Sequence, residues 1–442
     1  MKDATCSQPE YLSSRAGGAL RGEIEAPGDK SMSHRALILG GLAEGETHIF
    51  NLLEGRDVLD TAGALRAFGI EVDLDGPGHW RVTGAAWKSP PEPVDCGNSG
   101  TAARLLIGAA SGFPICAEFT GDASLRKRPM DRLFAPLRSM GARIDARDGD
   151  RLPARVEGGG LGGIHFLNAT ASAQVKSAIL LAGLRADGEV EVKEPARSRD
   201  HSENMLRDFG CDLQVEEGSI RLGAKRKLKA ASVQIPGDPS SAAFPLVAAL
   251  ITPGSELLVR SVMVNPLRAG LYTTLREMGA DLAFENRRSE SGEEIADIRA
   301  RFGRLRGVEV PASRAPSMID EYPILGVAAA YAEGRTVMRG ISELRVKESD
   351  RIAAMTAGLR ACGVAVHEEG EDLVIEGLGR APAGGAIVAA QGDHRIAMSF
   401  LMLGLASRAP VKVDSAAMIA TSFPGFAELM HSIGAEIEDA AA

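Results

Sequence analysis

The pattern that decides the fold of this chain first reads Leu65-Arg66-Ala67-Phe68-Gly69-Ile70-Glu71-Val72, a helical run followed by a glycine and a short strand-like run. Glycine suits this position because helices commonly end on a left-handed residue, a conformation that glycine adopts without steric cost. The pattern occurs six times, with its glycines at Gly69, Gly141, Gly210, Gly279, Gly363 and Gly434. Their spacings of 72, 69, 69, 84 and 71 residues indicate six repeats of one supersecondary unit.

A second type of helix alternates with the first and is rich in Ala and Leu. These helices are apolar nearly all round, so we expect them to be buried. The six runs begin near Lys30, Asn98, Ser172, Asp238, Asp320 and Asp393, and end near Gly45, Gly112, Gly188, Gly254, Gly334 and Arg408. Helix-capping residues stand at most of the starts, namely Asp29, Asn98 with Ser99, Ser172, Asp238 before Pro239, and Asp393. With short β-like runs between the helices, each repeat is predicted to be an α/β unit.

The six repeats are predicted to form two domains of three repeats each, residues 27–237 and residues 238–442 together with 1–26, joined by two crossovers. The sixth repeat ends soon after Ile437, and the strand-like Ala19–Ala26 could supply its missing strand. The single long spacing coincides with the charged, Gly-containing segment Asn286–Gly307, which is predicted to be an inserted hairpin or loop. The alternative is a continuous solenoid; two domains are favoured because three repeats could wrap around their own buried helices.

Composition excludes several classes of protein. Of the 442 residues 45% are hydrophobic and 25% charged, which are ordinary globular values. A net charge of −9 argues against general nucleic-acid binding, and five cysteines without a CxxC pair argue against a disulfide framework or a zinc cluster. The longest apolar run, Ala242–Ile251, is far shorter than the ~18 residues of a membrane span, and residues 1–21 lack the apolar core of a signal peptide. We expect a soluble cytoplasmic protein that binds no nucleic acid and no membrane.

Cationic and hydroxyl side chains gather at the starts of the apolar helices. Helix N-termini bind anions through free N–H groups and the positive end of the helix dipole. If the three apolar helices of a domain run parallel, their starts form one face, and two such faces would enclose an anion-binding cleft. The alternative is that each Ser or Asp is only a cap and that Arg126-Lys127-Arg128 is a basic loop. Repetition favours the anion site, because the dipole disfavours a cation at a helix start unless an anion is bound.

The densest cluster of charges is Arg345-Val346-Lys347-Glu348-Ser349-Asp350-Arg351. It could be a surface helix start with the i,i+3 pairs Lys347–Asp350 and Glu348–Arg351. It could equally be a Lys and an Arg that hold a phosphate or carboxylate beside a Glu whose ionisation they tune. The pattern alone leaves both interpretations open.

Seven segments in order, spread over nearly the whole chain, resemble the family of 5-enolpyruvylshikimate-3-phosphate synthases. They are Pro27–Arg35, Gly97–Thr101, Lys127–Met130, Ser172–Lys176, Asp320–Pro323, Arg345–Arg351 and Asp393–Arg395. Ser172–Lys176 and Arg199–Glu203 look like the class II form. The resemblance implies the two-domain enolpyruvyl transferase fold, an α/β architecture of six βαβαββ repeats with three per domain, each an inside-out α/β barrel, and an active site in the cleft between the domains.

The resemblance also implies a reaction between two small anions, shikimate 3-phosphate and phosphoenolpyruvate, that gives an enolpyruvyl ether and inorganic phosphate. It proceeds by addition and elimination with neither a metal nor an organic cofactor, and we expect a monomer. By motif, Ser31 and Arg35 would hold the shikimate carboxylate. The groups that would hold the phosphate of shikimate 3-phosphate are Ser172, Gln174, Ser198, Arg199 and, through its backbone only, Ala173.

The remaining roles concern catalysis and the second substrate. By the same resemblance, Asp320 and Lys347 would address the ring hydroxyls, with Asp320 as the base for the attacking one. Glu348 would give a proton to the methylene carbon of phosphoenolpyruvate and later take one back. The side chains that would bind phosphoenolpyruvate are Lys30, Arg128, Arg351 and Arg395. Lys30 is also predicted to be a catalytic residue. The backbone at Gly100 would lie against this substrate, and His394 would be a positioner or proton relay.

One difference from the class I sequences and two alternative functions bear on this interpretation. Residues 420–424 read Ala-Thr-Ser-Phe-Pro where class I members carry a Lys. UDP-N-acetylglucosamine enolpyruvyl transferase shares the fold but places a Cys where this chain has Ala123, and a non-catalytic repeat scaffold that binds phosphorylated ligands is the third alternative. Class II members that resist the inhibitor glyphosate have Ala at the position of Gly100, so this chain is expected to be more sensitive to glyphosate than they are.

Overall fold

The computed structural model describes residues 10–441, which divide into two compact lobes. The first lobe comprises Gly28–Pro236 and Ser289–Glu294. The second lobe comprises residues 10–27, Gly237–Arg288 and residues 295–441. Among the helices between residues 10 and 441, none is both long and apolar enough to cross a membrane.

The helices of residues 10–441 alternate between the two predicted types. They are α1 Lys30–Leu42, α2 Arg56–Ala67, α3 Gly100–Ser111, α4 Asp131–Met140, α5 Ala173–Gly183, α6 His201–Asp208, α7 Pro239–Ile251, α8 Gly270–Glu277, α9 Tyr322–Tyr331, α10 Arg351–Ala361, α11 His394–Gly404 and α12 Phe426–Ser432. The odd-numbered helices are the apolar ones. In the first lobe α3 packs against both α1 and α5, and in the second α7, α9 and α11 pack on one another.

The strands of the same residues, in chain order, are short. They are β1 Tyr11–Arg15, β2 Arg21–Glu25, β3 Glu46–Phe50, β4 Glu71–Gly76, β5 His79–Thr83, β6 Val94–Asp95, β7 Cys116–Thr120, β8 Arg143–Arg147, β9 Arg151–Glu157, β10 Gly162–Leu167, β11 Asp187–Lys193, β12 Leu213–Glu216, β13 Ser219–Leu222, β14 Ser232–Gln234, β15 Glu256–Met263, β16 Asp281–Glu290, β17 Glu293–Arg301, β18 Glu309–Val310, β19 Glu333–Met338, β20 Ala365–Glu369, β21 Asp372–Leu378, β22 Ile387–Val388, β23 Val411–Val413 and β24 Glu436–Ala440.

Six four-stranded sheets, one for each predicted repeat, share one plan within the described chain. Their strand orders are β14-β3-β5-β4, β6-β7-β9-β8, β10-β11-β13-β12, β2-β15-β17-β16, β18-β19-β21-β20 and β22-β23-β1-β24. In every sheet the first pair is parallel and the second antiparallel. In the repeats whose strands follow one another in the chain, such as β6-β7-β9-β8, helix α3 connects the parallel pair β6–β7 and a short turn connects the antiparallel pair β8–β9, which gives the βαβαββ order.

The N-terminal strands correct one expectation. The segment Ala19–Ala26 was expected to complete the sixth repeat, but its strand β2 pairs with β15 in the fourth. The sixth sheet is completed by β1, which lies between β23 and β24. Leu12 and Ser14 face inward from β1, and the Ser14 hydroxyl donates to the Leu401 carbonyl of α11 at 2.6 Å. A strand with one aliphatic residue lacks the hydrophobic alternation from which strands are predicted.

The repeat glycines and helix caps are as the sequence predicts. The six repeat glycines have φ between +81° and +114°. Five capping side chains accept hydrogen bonds from the first turn of their helices, namely Asp29, Ser99, Ser172, Asp238 and Asp393. The apolar helices end one to five residues earlier than predicted, and Asn286–Gly307 proves to hold most of the long hairpin β16–β17. The tip of this hairpin belongs to the first lobe, where Glu293 Oε1 lies 2.7 Å from His201 Nδ1.

Candidate active site

The first turn of α1 carries Lys30 and Ser31, held in place by a cap. The Asp29 carboxylate accepts from the Met32 amide at 2.7 Å, and Lys30 forms an ion pair with Asp57 in the first turn of α2. Lys30 is mostly buried, and Ser31 is partly exposed. Asp57 was not predicted as a site residue, since nothing in its own segment marks it and only the packing of α2 on α1 brings it to Lys30.

One turn further along α1, Arg35 is buried and held by three neutral oxygens. Its guanidinium donates to the Ser31 carbonyl at 2.9 Å and to the hydroxyls of Ser177 and Ser202, each at 2.8 Å. These two hydroxyls lie 2.7 Å apart. These partners fix the orientation of the guanidinium, which suits Arg35 to binding an anion.

His34, beside Arg35, connects α1 to the start of α3. Its Nδ1 lies 2.8 Å from Thr61 Oγ1, and its Nε2 lies 3.5 Å from the hydroxyl of Ser99, the cap of α3. Burial, together with the positive charges of Lys30 and Arg35, lowers the pKa of His34 well below its ordinary value. The ring is therefore neutral at physiological pH and acts here as a structural connector.

The start of α3 places a glycine beneath two guanidinium groups. A Cβ atom on Gly100 would lie 2.7 Å from Arg104 Nη1 and 3.2 Å from Arg128 Nη1. Arg128 is mostly buried and donates to Asn98 Oδ1 at 2.6 Å and to the Ser124 hydroxyl at 3.4 Å. Two arginines above a helix N-terminus form a strongly anion-attracting site. Arg128 is thus built into the fold and is no longer explained as part of a solvated basic loop.

The start of α5 is tied to α3 by Gln174. Its amide donates to Thr101 Oγ1 at 2.8 Å, and its carbonyl accepts from Arg104 Nη1 at 2.7 Å. Ser172 caps the helix by accepting from the Val175 amide at 3.4 Å, and Ala173 is the first helical residue. Gln174 and Arg104 therefore hold the starts of α3 and α5 together.

Ser198 belongs to a buried network that the sequence did not reveal. Lys176 Nζ lies 3.0 Å from Glu194 and 2.6 Å from Glu203, and all three side chains are almost completely buried. The Ser198 hydroxyl donates to Glu194 Oε1 at 2.6 Å. Burial raises the pKa of Glu203 against the opposing effect of Lys176.

This network bears on two expectations. Two carboxylates within the fold compensate the charge of Lys176, so its place at a helix start does not indicate a bound anion. The Ser198 hydroxyl donates to Glu194, which anchors the loop before α6, and the predicted contact of Ser198 with a phosphate stays a prediction. Arg199 follows in that loop and is partly exposed, which leaves it accessible to a ligand.

The second lobe is organised around Arg351, the first residue of α10. Its guanidinium donates to Asp393 at 2.8 Å, Asp320 at 3.3 Å and Glu348 at 2.5 Å. Burial alone would lower the pKa of Arg351, but Asp393, Glu348 and Asp320 together raise it above its ordinary value. The predicted Glu348–Arg351 pair exists, yet it is no surface pair, because the Arg351 side chain is only 1% exposed.

The neighbours of Arg351 complete this cluster. Asp393 also caps α11 by accepting from the Arg395 amide at 2.9 Å, and the Arg395 guanidinium donates to the Asp320 carbonyl at 3.4 Å. His394 is buried beside them. Lys347 follows a 3₁₀ turn and is partly exposed. The carboxylates of Asp320 and Glu348 remain 18% and 23% exposed, so a substrate could reach both.

The helix starts of the two lobes thus carry different sets of functional side chains. The first lobe brings together cations and hydrogen-bond donors: Lys30, Ser31, Arg35, Gly100, Arg128, Ser172, Ala173, Gln174 and Arg199. The second brings together carboxylates and cations: Asp320, Lys347, Glu348, Arg351, His394 and Arg395. The first set suits the binding of anions, and the second can also move protons.

Comparison with known proteins gives a consistent result. The family model described as EPSP synthase (3-phosphoshikimate 1-carboxyvinyltransferase) matches residues 14–430. A 3-phosphoshikimate 1-carboxyvinyltransferase of Caulobacter vibrioides is 57% identical, covering 97% of this chain and 99% of its own length. One of Methylorubrum extorquens is 54% identical, covering 99% of both chains.

Solved structures agree with the sequence relatives. The EPSP synthase of Acinetobacter baumannii superposes with a TM-score of 0.86 at 43% identity, covering 97% of this chain and 99% of the other. The enolpyruvyl transferase NikO of Streptomyces tendae, at 18% identity and a TM-score of 0.76, covers 98% of this chain and 100% of its own and shares the fold. The fold is therefore the predicted enolpyruvyl transferase fold, and the chain belongs to the EPSP synthase (3-phosphoshikimate 1-carboxyvinyltransferase) family.

Proposed function

We propose that this chain transfers the enolpyruvyl group of phosphoenolpyruvate to the 5-hydroxyl of shikimate 3-phosphate and releases inorganic phosphate. The observation that carries the proposal is the cluster around Arg351. In this cluster two partly exposed carboxylates, those of Asp320 and Glu348, form ion pairs with the guanidinium of Arg351. A proton-transfer reaction on anionic substrates requires such carboxylates together with a cation.

In the addition step, Asp320 takes the proton of the 5-hydroxyl as that oxygen bonds to C2 of phosphoenolpyruvate. Glu348 gives a proton to C3, so the double bond is lost and a tetrahedral adduct forms. In the elimination step, Glu348 takes a proton back from C3, the double bond re-forms, and the C2–O bond to phosphate breaks with its electron pair going to the phosphate oxygen. The leaving phosphate takes up the proton that Asp320 accepted in the first step, so both carboxyl groups return to their starting forms. One carboxyl group serves both steps because it starts the second in the ionised form that the first has left.

Glu348 must be protonated before the first step, although it is bonded to Arg351 in the structure. Phosphoenolpyruvate competes with Glu348 for this guanidinium, because both are anions. A Glu348 released from Arg351 binds a proton more readily. Binding of phosphoenolpyruvate thus favours the protonated form of Glu348, which then gives its proton to this substrate.

The first lobe supplies most of the anion binding in this proposal. Ser31 and Arg35 hold the shikimate carboxylate. Its phosphate is held by Ser172, Gln174, Ser198 and Arg199, and by the backbone of Ala173. Lys30 and Arg128 bind phosphoenolpyruvate next to the backbone of Gly100, and Arg351 and Arg395 bind it as well. Lys347 holds a ring hydroxyl, and His394 supports Arg395. The proposed active site therefore requires both lobes, in a monomeric cytoplasmic enzyme that binds neither nucleic acid nor membrane.

The test is phosphate release from phosphoenolpyruvate by the purified chain, with either shikimate 3-phosphate or UDP-N-acetylglucosamine as the acceptor. We expect release with shikimate 3-phosphate only. The second acceptor tests the rival transferase, whose Cys is replaced by Ala123 here. Release that depends on the nucleotide sugar would contradict the proposal, and no release with either acceptor would favour a non-catalytic scaffold.

A further inference from the structure

Three polar side chains converge on the sheet β14-β3-β5-β4 of the first lobe, away from the helix starts. They are His48 on β3, Asp75 on β4 and His79 at the beginning of β5. One possible ligand atom from each lies within 4.8 Å of the others. Alternate residues of these strands, Ile49 and Trp80 among them, are buried. The three side chains therefore occupy the face of the sheet opposite the core.

The backbone places these side chains together. In the antiparallel ladder Ile49 pairs with Trp80 and Phe50 with His79, so the two histidines are diagonal neighbours with ring centroids 5.7 Å apart. Asp75 sits where the ladder between β4 and β5 shifts register. The Phe50 ring stacks on His79 at 4.4 Å, which restricts the imidazole. The site is thus built on paired strands and does not depend on a mobile loop.

One atom of this cluster lacks the partner that burial requires. His79 Nε2 is inaccessible to solvent and makes no hydrogen bond. A buried polar atom without a partner costs free energy, so such atoms are rare and call for an explanation. A ligand bound at this nitrogen would supply the missing interaction.

The surrounding charges favour a cation. Arg81 lies 3.3 Å from Glu46, 3.2 Å from Asp73 and 3.4 Å from Asp75. Three carboxylates and one guanidinium leave two negative charges beside the imidazoles. Glu46 Oε1 also lies 3.1 Å from His48 Nε2, an arrangement in which a carboxylate orients a metal-binding imidazole.

We propose that His48, Asp75 and His79 form a site for a divalent transition-metal ion, with Zn²⁺ as the fitting probe. Two imidazoles and one carboxylate are a ligand set that Zn²⁺ accepts, with water in the fourth position. None of the three residues belongs to the proposed active site. The ion would join three strands of one sheet, and its role would be to stabilise the first lobe, because an ion that binds the folded state preferentially stabilises it.

The experiment titrates Zn²⁺ into the chelator-stripped, untagged full chain, with its thiols alkylated because free cysteines also bind zinc. We expect one equivalent of tight binding, and at least tenfold weaker binding in each of the variants His48→Gln, His79→Gln and Asp75→Asn. Even the loss of an outer partner of a metal ligand costs about 10–100-fold. Turnover should be unchanged in all three, which also shows that they fold.

The matched control is His367→Gln. His367 is an exposed strand histidine 2.9 Å from Glu369, as His48 is beside Glu46, and it lies outside the cluster. This variant should bind zinc like the wild type. The proposal would be overturned if the alkylated wild-type chain binds no zinc, or if all three cluster variants bind zinc as tightly as the wild type.

Discussion

At the scale of single residues, the function of a charged side chain depends on whether it is paired with an opposite charge within the protein. Lys176 has two buried carboxylate partners, so its charge is used within the fold. Arg35 donates to two hydroxyls and a carbonyl, which fix the direction of its guanidinium. Position at a helix start does not distinguish these two cations in the sequence, because the difference comes from Glu194, Glu203, Ser177 and Ser202, which only the folded chain brings to them.

The variant Glu348→Gln tests the proton-transfer role. Gln keeps the shape and can still accept from Arg351, but it cannot give or take the proton. We expect kcat to fall on the order of 10²-fold or more, while the Kd for shikimate 3-phosphate stays nearly normal by calorimetry. Glu368→Gln, which alters another Arg-paired carboxylate, is the control and should leave kcat unchanged. A kcat of Glu348→Gln within a few-fold of the wild type would remove this role.

The variant Gly100→Ala tests the space above α3. The new methyl would press on the guanidinium groups of Arg104 and Arg128, and we expect it to crowd glyphosate more than the shorter phosphoenolpyruvate. Overpacking commonly costs ~1–3 kcal/mol, so the glyphosate inhibition constant should rise about tenfold or more. The measurement compares this constant with the KM for phosphoenolpyruvate. Equal proportional changes would show that Gly100 does not discriminate between them.

At the scale of secondary-structure elements, the sequence predicted whatever local chemistry determines. Helix starts follow from Asp29, Ser99, Ser172, Asp238 and Asp393, whose side chains cap their own helices. Strand partners were harder to predict, because a strand pairs with residues far away in the chain. The sheets that β1 and β2 join could therefore not be derived from their own residues.

Helix α1 should make the stability of the first lobe depend on pH. The pKa of His34 is lowered in the folded state, so below its ordinary value of 6.5 the unfolded chain binds a proton that the folded chain does not. Stability contributed by neutral His34 is complete above pH 6.5 and is lost as pH falls toward the lowered pKa, with a slope of at most about 1.4 kcal/mol per pH unit.

Urea unfolding followed by tryptophan fluorescence measures this effect in the first lobe alone, because both tryptophans, Trp80 and Trp87, lie there. His34→Gln should flatten the dependence of the unfolding free energy on pH between pH 6.5 and 5. The control His367→Gln lies in the second lobe and should keep the wild-type slope. An unchanged slope in His34→Gln would show that the buried ring does not contribute.

At the scale of the whole molecule, the repeat count could be predicted because one glycine recurs at nearly constant spacing. The division of chemistry between the lobes was visible in the motifs, but the carboxylate cluster around Arg351 was not. It joins Asp320, Glu348 and Asp393, which span three segments of the chain. The proposed reaction needs the residues of both lobes at the same substrates.

We expect shikimate 3-phosphate to draw the two lobes together. In the proposed function, groups of both lobes bind the same anions, so a bound ligand would hold the lobes together. Closure would be a hinge movement at the predicted crossovers near residues 26 and 238. Small-angle scattering at saturating ligand should give a smaller radius of gyration than the free chain, and an identical value would contradict the proposal.

Proton transfer by Glu348 is tested most directly by a single turnover of phosphoenolpyruvate and shikimate 3-phosphate in D₂O, with the product examined by NMR. If Glu348 gives a solvent-exchanged proton to C3 and takes one back, deuterium must appear in the vinyl CH₂ group of the enolpyruvyl product. We predict that the wild type forms this deuterated product. The variant Glu348→Gln should form it at least 10²-fold more slowly. Product without deuterium at C3, or labelled product formed by Glu348→Gln at the wild-type rate, would show that Glu348 does not transfer this proton.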